Sequence, residues 1–572
     1  MIKEYFSLMG TGRKRRMLLL LPAMLIASVL EMLGIGLIVA VCSVLIDDEW
    51  LYSDARVAFV CRVLHIRPGG GFIIAILLLL VALYLAKMLY LAWENYVVAK
   101  FVRTVRSDIS VELLRRITRA EYPFFVRHSS SELQNLLGQD MYQFASGLNA
   151  CMQLMLEGLV ALGMGAFLLY VDPLMTAFVM AGIVILLLLI QLPLDRVMQK
   201  AAGNLRQANS ERWKWFHQVF VGIKDVKIGQ HEDFVNQRFA AASRKYARAE
   251  YINQLWSRIP SLVIETVMIV CVLIYLIYLV AAGEELLRYL PGLSALALTA
   301  VRLLPTCNRI SSSLTQLGYS KASVGAVKAI LEETNTAIRA EKQPQREVAF
   351  TKGLSLHHVS YAYEGKPEAV LTDVDMEIPA GTSVGIIGPS GAGKTTLLDI
   401  LLGLLIPSQG SVEIDGVPIE QCNESFLNKT AYVPQSTFLM NDTVRSNVAM
   451  GVDAERIDDK LVWDALEKAA LSDTIRALPD GLDTQVGERG VRFSGGECQR
   501  LGLARALYQD PTIIFFDEAT SALDLETEAA VLRSIEGLRD GRTLIIVSHR
   551  SSAISNCDLV YRVQDGRVIR ER

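Results

Sequence analysis

The stretch Gly388-Pro389-Ser390-Gly391-Ala392-Gly393-Lys394-Thr395-Thr396 decides the fold of the second half of this chain. It is a complete phosphate-binding loop, GxxxxGK followed by Thr, between the apolar run Ser383–Ile387 and the helix-like run Thr395–Leu402. The glycines let backbone N–H groups surround phosphate oxygens, and the helix N-terminus adds partial positive charge. We expect Lys394 to reach the β- and γ-phosphates of a nucleotide and Thr395 to hold Mg²⁺. The predicted nucleotide-binding residues of the loop are Gly388, Ser390, Gly391, Ala392, Gly393, Lys394, Thr395 and Thr396.

Further motifs surround the loop in a recognisable order. They are Tyr363 upstream, Gln435, the motif Phe493-Ser494-Gly495-Gly496-Glu497-Cys498-Gln499-Arg500, the apolar run Thr512–Phe516 ending in Asp517 and Glu518, and the apolar run Thr543–Ser548 ending at His549. This order resembles the nucleotide-binding domain of the ABC transporters over about Phe350–Arg572. The resemblance implies an α/β P-loop ATPase domain that uses ATP and Mg²⁺.

The residues in these motifs have roles that their chemistry suits. Tyr363 is expected to stack on adenine, because stacking tolerates base identity. Asp517 is expected to hold Mg²⁺ together with Thr395 and Gln435, and Gln435 also to sense the γ-phosphate. Glu518 is the candidate general base or water-orienting residue. His549 is expected to contact the γ-phosphate and to position the water beside Glu518.

The signature motif departs from the family pattern. The family usually has Leu-Ser-Gly-Gly-Gln, whereas this chain has Phe493-Ser494-Gly495-Gly496-Glu497. The hydroxyl and N–H donors that grip a γ-phosphate at a helix N-terminus are retained in Ser494, Gly495 and Gly496. Glu497 adds negative charge near the nucleotide, so we expect a slightly weaker grip but not inactivation.

The composition of the chain favours a membrane protein. It has 572 residues, of which 52% are hydrophobic, and a mean hydropathy of +0.32. Both values are high for a soluble protein, and the long apolar runs lie in the first half. Lys+Arg number 57 against Asp+Glu 60, a net charge of −3 that indicates no nucleic-acid partner. The eight cysteines show neither metal spacing nor a disulfide framework.

The first half contains about six apolar segments long enough to cross a ~30 Å hydrocarbon core. They are Met17–Ile46, Phe72–Ala92, Leu148–Tyr170, Leu174–Pro193, Ile259–Ala282 and Leu286–Ser312. The basic cluster Arg13-Lys14-Arg15-Arg16 marks the cytoplasmic side of the first, which is too long for a cleaved signal peptide. Alternation then places Ala99–Gly147 and Asp195–Ser257 in the cytoplasm, on the same side as the ATPase.

These two cytoplasmic segments resemble the helix extensions of ABC exporters. Their tips, predicted at Tyr122–Ser129 and Gly222–Asp233, are expected to be the coupling helices that dock on the ATPase; generic solvated loops are the alternative. The stretch Asp483–Gly490 resembles an exporter-specific loop and favours export over import. We therefore expect a transmembrane domain at 1–335, a charged linker at 336–349 and an ABC nucleotide-binding domain at 350–572.

A single loop and a single signature per chain predict a dimer. In this family the signature of one ATPase domain closes on the loop of another, so one chain cannot complete a site. A homodimer with two equivalent sites is the expected assembly, because Lys394, Asp517, Glu518 and His549 are all present. A heterodimer with a second protein is the alternative.

Charges within the spans suggest a substrate path, since each is costly in lipid. The candidate substrate residues are Lys87, Arg258 and Arg302. Lys87 and Arg302 each lie roughly 20 Å along their helices from the outer side, which puts them in the inner half of the membrane. Such cations suit an anionic phosphate or pyrophosphate headgroup. Snorkelling cations near the cytoplasmic face are the plainer explanation.

Two further stretches resemble the bacterial flippases of lipid-linked oligosaccharides. One is Arg302–Ile310 in the last span. The other is an amphipathic pattern at Val57, Val60, Cys61 and Leu64, which predicts an external helix at the outer interface. The resemblance implies an ATP-driven flippase for a polyprenyl-pyrophosphate-linked glycan in the bacterial inner membrane. A lipid A or multidrug exporter and a non-pumping regulatory or channel-like ABC protein are the alternatives; the apolar spans exclude a soluble DNA-repair ATPase.

Overall fold

A computed structural model describes most of the chain. The described residues are 2–46, 70–171, 197, 200, 201, 203–281, 286–340, 346–363, 365, 368–487, 490–518, 537, 541–549 and 554–572. The predicted span Leu174–Pro193 and the predicted external helix around Val57–Leu64 lie outside them. The chain divides into two compact units. The first comprises Met1–Ala120 and His128–Ile338, and the second comprises Glu121–Arg127 and Arg339–Arg572.

The first unit, called the membrane unit below, is helical throughout its described part. Its helices are α1 (Ile2–Leu8), α2 (Thr11–Ile46), α3 (Gly70–Thr118), α5 (Ser130–Asn135), α6 (Met141–Val171), α7 (residues 203–221), α8 (Ile223–Ile228), α9 (Glu232–Ala281) and α10 (Leu286–Ala340), with a π-helical turn, Leu136–Asp140, between α5 and α6. Helices α3, α9 and α10 have 49, 50 and 55 residues. At 1.5 Å per residue each is more than twice as long as a ~30 Å hydrocarbon core, so each extends well beyond it.

Three stretches of the described residues are long and apolar enough to cross a membrane. They are Thr11–Leu33, Leu77–Thr118 and Ser130–Ala166, and they contain most of the first three predicted spans. The fifth and sixth predicted spans lie within the continuous helices α9 and α10. Exposed apolar side chains such as Leu19, Leu79 and Leu162 (70, 70 and 73% accessible) give these helices a lipid-compatible surface.

Small residues allow the helices of the membrane unit to approach closely. A Cβ added to Gly147 of α6 would lie 1.8 Å from the hydroxyl of Tyr5 and 2.3 Å from Oγ of Ser320. These two hydroxyls are themselves hydrogen-bonded at 2.6 Å, which joins α1 to α10 over α6. Such close approach at a small residue is the usual basis of helix association in membranes.

Both predicted coupling segments form short helices. Helix α4 spans Tyr122–Arg127, and Glu121–Arg127 belongs to the second unit, where Phe124 is buried. Helix α8 spans Ile223–Ile228 in the first unit. Its apolar side chain Ile228 is 83% exposed. The turns around both helices contain Gly, Pro or a short polar side chain, which accounts for their ends.

The second unit, called the ATPase unit below, contains two sheets in its described part. The strands are β1 (Gly353–Tyr361), β2 (Leu371–Pro379), β3 (Ser383–Ile387), β4 (Gln409–Ile414), β5 (Val417–Pro418), β6 (Thr430–Val433), β7 (Ile513–Asp517), β8 (Thr543–Val547), β9 (Leu559–Gln564) and β10 (Arg567–Arg570). The helices are α4, α11 (Lys394–Leu401), α12 (Ile419–Leu427), α13 (Val444–Val448), α14 (Asp459–Lys468), α15 (Ser472–Arg476) and α16 (Gly495–Tyr508).

The two sheets differ in strand direction. One is antiparallel, in the order β2-β1-β4-β5, and β2 alternates between buried and exposed residues. The other has the order β10-β9-β3-β8-β7-β6 and is parallel from β9 to β6. Its strands β3, β7 and β8 are buried almost continuously, because parallel strands are covered on both faces. The carboxyl ends of β3, β7 and β8 therefore meet at one edge, where ligands bind in α/β sheets.

The predicted linker begins inside a helix. Helix α10 continues to Ala340, past the predicted linker start at residue 336, and residues 341–345 lie outside the described part. The chain then enters the antiparallel sheet through Val348 and Phe350, both buried in its core. The domain boundaries themselves stay a prediction.

Candidate functional site

The phosphate-binding loop joins β3 to α11 with backbone angles that require glycine. Gly388, Gly391 and Gly393 have φ of +155°, +79° and +102°, a region that side chains rarely adopt. At Gly388 an added Cβ would also lie 2.2 Å from the carbonyl oxygen of Val563. Helix α11 begins at Lys394, so its first N–H groups are directed to the loop. The loop therefore has the backbone geometry that a phosphate requires.

The side chain of Lys394 folds back onto the phosphate-binding loop. Its side chain is almost fully buried, and Nζ donates to the carbonyl oxygens of Gly388 and Pro389 at 2.9 and 3.0 Å. Both acceptors are uncharged carbonyl groups, so they do not neutralise the positive charge of Lys394. The cation is therefore available to the phosphates of a nucleotide lying in the loop.

Tyr363 lies beside the same helix. Its hydroxyl forms a hydrogen bond with Oγ1 of Thr396 at 3.1 Å, and its ring packs edge-on against Tyr361 at 5.1 Å between ring centroids. The structure thus brings the predicted adenine-stacking residue to the loop. The stacking role itself stays a prediction.

The two predicted catalytic side chains, Glu518 and His549, form one cluster with Gln435, a predicted nucleotide and Mg²⁺ ligand, beyond the ends of β7, β8 and β6. Nε2 of Gln435 donates to one carboxylate oxygen of Glu518 at 2.8 Å, and Nδ1 of His549 lies 3.2 Å from the other. Glu518 follows β7 directly and has φ +48°, with its N–H donating to the carbonyl oxygen of Val547 at 2.9 Å. The amide and imidazole therefore fix the carboxylate from both sides. A carboxylate fixed in this way can accept a proton from, or orient, an attacking water.

Asp517 lies at the last position of β7, next to Glu518, and the chemistry around it fits a cation. Burial raises the pKa of Asp517, and the neighbouring charge of Glu518 raises it further, while Tyr432 and Lys394 act in the opposite direction. Two adjacent partly buried carboxylates are destabilised by mutual repulsion unless a positive charge lies near them. The hydroxyl of Thr395, the amide of Gln435 and the Asp517 carboxylate are oxygen ligands of the kind that Mg²⁺ prefers.

Sequence reasoning missed two residues near this carboxylate. Tyr432 of β6 donates its hydroxyl to Asp517 at 3.3 Å, which helps to orient it. Asp399 of α11 has its pKa raised to about 6, by burial first and by Asp517 second. The sequence held weak signals for both: Tyr432 lies three residues before Gln435, and Asp399 lies one helical turn after Thr395.

The signature motif forms the N-terminus of α16. Ser494 is the N-cap residue: its Oγ accepts from the N–H of Glu497 at 3.3 Å, while the Glu497 carboxylate accepts from the N–H of Ser494 at 2.7 Å. This reciprocal pattern is a capping box, which stabilises a helix start. The Glu497 carboxylate also lies 2.9 Å from the Ser494 hydroxyl. Glu497 is therefore hydrogen-bonded to Ser494, the serine that is predicted to bind nucleotide.

The predicted substrate residues of the membrane unit lie in different surroundings. Lys87 is buried, and Nζ lies 3.7 Å from Oε1 of Glu31 and 5.3 Å from the ring centre of Tyr84. Arg258 is exposed. Arg302 lies in α10, but its side chain is outside the described part. Because Glu31 neutralises Lys87, an anionic substrate would gain less from this lysine than its charge alone suggests.

Family models match both halves of the chain. The model "ABC transporter transmembrane region" matches residues 25–290, and the model "ABC transporter" matches residues 371–521.

Curated relatives match over both regions. A multidrug resistance ABC transporter ATP-binding and permease protein of Lactococcus lactis is 27% identical over 86% of this chain and 82% of its own length. An ATP-dependent lipid A-core flippase of Cupriavidus metallidurans is 29% identical over the same shares. The ABC transporter ATP-binding protein YwjA of Bacillus subtilis is 30% identical over 81% of this chain and 80% of its length.

A solved structure has the same fold. The structure of a bacterial Atm1-family ABC exporter with ATP bound aligns with a TM-score of 0.77 and 21% identity, covering 97% of this chain and 94% of that one. The predicted fold class, a helical membrane domain fused to an α/β ATPase domain, is thereby confirmed. This multi-pass membrane protein, with a transmembrane region and an ATP-binding ATPase domain in one chain, belongs to the ABC transporters and is an ABC exporter.

Proposed function

We propose that this exporter is an ATP-driven flippase that moves a polyprenyl-pyrophosphate-linked oligosaccharide, or a similar anionic glycolipid, across the bacterial inner membrane. The observation that carries the ATP-driven part is the Glu518 carboxylate, fixed between Gln435 and His549 at 2.8 and 3.2 Å. A pump needs hydrolysis, and hydrolysis needs a positioned water-activating group. The glycolipid part is supported by the stretch Arg302–Ile310 and by relatives whose names include a lipid A-core flippase.

The proposed roles at the ATP site follow from its geometry. The loop N–H groups and Lys394 bind the phosphates, Tyr363 stacks on adenine, and Ser494, Gly495 and Gly496 of a second chain grip the γ-phosphate. Thr395, Gln435 and Asp517 would hold Mg²⁺, which neutralises charge on the phosphates when bound. Glu518 takes the proton of the attacking water at its carboxylate. Gln435 and His549 keep that carboxylate oriented.

The proposed assembly is a homodimer with two shared ATP sites. Each chain provides one loop and one signature, so symmetry makes the two sites equivalent. The exposed apolar side chains of α8 support a second chain covering this helix: Ile223 and Ile228 are 40 and 83% accessible. An apolar side chain that protrudes from a cytoplasmic helix turn is typical of a contact surface.

The proposed transport cycle couples this dimer to the membrane unit. ATP binding closes the two ATPase units on the shared nucleotides. Closure moves the coupling helices α4 and α8 and opens the substrate path through the membrane unit to the outside. Hydrolysis at Glu518 then resets the inward-open state. Helix α4 supports this coupling, since Glu121–Arg127 forms one compact unit with the ATPase fold.

A second candidate substrate is lipid A or a range of drugs. It is favoured by the names of two relatives, a lipid A-core flippase and a multidrug resistance transporter. A non-pumping channel or regulator is a third possibility of another class. The fixed Glu518 carboxylate argues against it, because a protein that does not turn over ATP has no use for that arrangement.

An ATPase assay in liposomes tests the proposal. The purified exporter is compared with its Glu518→Gln variant while lipid-linked oligosaccharide, lipid A or a cationic drug is added. Stimulation by the lipid-linked oligosaccharide, absent in the variant, is the expected result. If only lipid A or drugs stimulate the ATPase activity, the second candidate substrate is favoured instead. Ion flux without any ATP hydrolysis would support the channel.

A further inference from the structure

The membrane unit contains a cavity that none of the motifs predicted. Its volume is ≈ 360 Å³, within the range of small-molecule sites. Its walls come from three helices, α3, α6 and α10. Among the described residues, the uncharged polar lining consists of three hydroxyl and three amide side chains: Ser146, Ser312, Ser313, Asn149, Gln153 and Gln316.

One wall residue lacks the partner that a buried polar group normally has. Ser313 is 2% accessible, and its hydroxyl has no hydrogen-bond partner in the described part of the chain. Nearly all buried polar side-chain atoms in folded proteins are paired, and leaving one unpaired costs free energy. Ser313 therefore leaves unmet hydrogen-bonding capacity at the wall of the cavity.

The chemistry of the walls selects the occupant. Hydroxyl and amide groups both donate and accept hydrogen bonds, as sugar hydroxyls do. The apolar side chains of the lining are short, for example Ala145 and Ala150, and leave room for the C–H face of a ring. An acyl chain or an apolar drug would strip water from six polar side chains without replacing its hydrogen bonds.

Charge at the cavity favours a sugar joined to a phosphate. Among the described residues that line it, Arg103 is the charged one and none is acidic. The acid of α6, Glu157, lies one turn further toward the membrane and is occupied by Arg309, whose Nη2 lies 3.2 Å from Oε2. Arg103 is thus free of acidic competition within the lining, and its planar guanidinium suits a phosphate oxygen pair.

The position of the cavity fits the headgroup of a lipid rather than its tail. Ala99 of the wall lies seven residues beyond Ala92, the predicted cytoplasmic end of the second span. Along a helix that is ~10 Å, which reaches the headgroup layer of the inner leaflet. A lipid entering from this leaflet would bring its headgroup to the level of Arg103 and the amide side chains.

We propose that this cavity binds the sugar moiety of the transported glycolipid, with Arg103 at the linking phosphate. The inference rests on the proposed flippase function and names the part of the substrate that the membrane unit recognises. It differs from the sequence-based prediction, which assigned recognition to Lys87, Arg258 and Arg302. The cavity distinguishes glycosylated from bare lipids, whereas those cations would recognise only the anionic group.

A binding experiment on the full-length protein in nanodiscs tests this assignment. The probes are a polyprenyl pyrophosphate, the same lipid carrying an oligosaccharide, lipid A, and a cationic drug, with affinities measured by native mass spectrometry. The variant is Asn149→Ala/Gln153→Ala, which removes two amides from the wall. The matched control is Asn95→Ala, since Asn95 lies on α3 outside the lining and donates to the carbonyl oxygen of Leu91.

Wild type and the Asn95→Ala control should bind the glycosylated lipid about tenfold more tightly than the bare one, as expected for two added hydrogen bonds. The double variant should lose this preference and keep its affinity for the bare lipid. Retention of the sugar preference by the double variant, or no preference in wild type, overturns the cavity assignment and leaves the flippase proposal standing.

The remaining outcomes separate the two proposals. If wild type binds lipid A but neither polyprenyl lipid, and the double variant binds lipid A about tenfold more weakly, the cavity is a sugar site and the polyprenyl substrate is wrong. If only the cationic drug binds, both the sugar site and the glycolipid flippase are wrong.

Discussion

ATP turnover is expected to depend on Glu518 more than on any other side chain of the site. Replacing it by Gln keeps the side-chain length and a hydrogen-bonding group for His549 and Gln435 but removes the basic carboxylate. We expect Glu518→Gln to retain ATP binding and to lower the ATPase rate by roughly 10²-fold or more. Equilibrium nucleotide binding and steady-state turnover, measured on the same preparation, check both halves. Wild-type turnover in the variant would remove Glu518 from the mechanism.

Lys394 provides the contrasting case at the same site. Its ammonium group lies over the loop, bonded to two backbone carbonyl oxygens that phosphates can replace as partners. Lys394→Ala should therefore weaken ATP binding itself, by about tenfold or more for the loss of a charged hydrogen bond. Unchanged nucleotide affinity in a correctly folded variant would contradict this role.

Glu497 is the residue where the structure adds most to the sequence. Its carboxylate lies 2.9 Å from the Ser494 hydroxyl, so it competes for the proton that a γ-phosphate would receive from that serine. Glu497→Gln keeps an acceptor for the Ser494 N–H but removes the charge. We expect a severalfold lower KM for ATP. An effect of this size is typical of the repulsion between two negative charges, here the carboxylate and the γ-phosphate, at a site that is partly exposed to water. A raised KM would show that the carboxylate aids nucleotide binding.

At the scale of elements, the antiparallel sheet is anchored by one aspartate. Asp415, in the turn after β4, accepts hydrogen bonds from the N–H groups of Thr351, Lys352 and Gly353 at 2.9, 2.7 and 3.0 Å. Burial by itself would raise the pKa of Asp415, but these N–H groups outweigh it and lower the pKa below its usual value. A lowered carboxyl pKa stabilises the folded state above the unfolded pKa, and this stabilisation is lost as pH falls through the folded pKa.

Asp415→Asn should consequently destabilise the ATPase unit at neutral pH. Asn tolerates the φ of +54° at this position, so the variant tests the charge rather than the backbone. We expect a loss of roughly 1–2 kcal/mol that shrinks below about pH 4. Calorimetric melting of the full-length protein across pH measures it, with Asp453→Asn as the control at an exposed acid. A loss that is equal at all pH values would contradict the charge argument.

The elements show where sequence reasoning works and where it stops. The loop and the strands β3, β7 and β8 depend on residues that are close in sequence, so local patterns predict them. The Tyr432–Asp517 contact depends on strand order, because β6 and β7 are adjacent in the sheet but separated by 85 positions at these residues.

The membrane unit shows the same limit more strongly. The Tyr5–Ser320 hydrogen bond and the polar cavity join helices from distant parts of the chain. Apolar periodicity indicates that such helices exist and how long they are, but not which faces meet. For this reason the sequence identifies Lys87 as a charged residue within one span. It does not indicate that Glu31, from another span, lies beside it.

For the whole molecule, shared ATP sites predict complementation between two inactive chains. Lys394→Ala and Ser494→Ala chains should each be inactive as homodimers. A mixed dimer keeps one intact loop opposite one intact signature, so it should retain about half of wild-type ATPase activity if the two sites act independently. Purified mixed dimers, isolated by two affinity tags, measure it. Full inactivity of mixed dimers, where a wild-type chain paired with either variant remains active, would contradict shared sites.

The central claim is that this exporter uses ATP to move a lipid-linked glycan. It is tested most directly by flipping in proteoliposomes that contain the full-length homodimer and a fluorescent polyprenyl-pyrophosphate-linked oligosaccharide. We predict ATP-dependent loss of this lipid from the leaflet facing the ATPase units, abolished by Glu518→Gln and unaffected by Asn95→Ala. Efficient ATP-dependent movement of lipid A or drugs in the same vesicles, with no movement of the lipid-linked oligosaccharide, would contradict it.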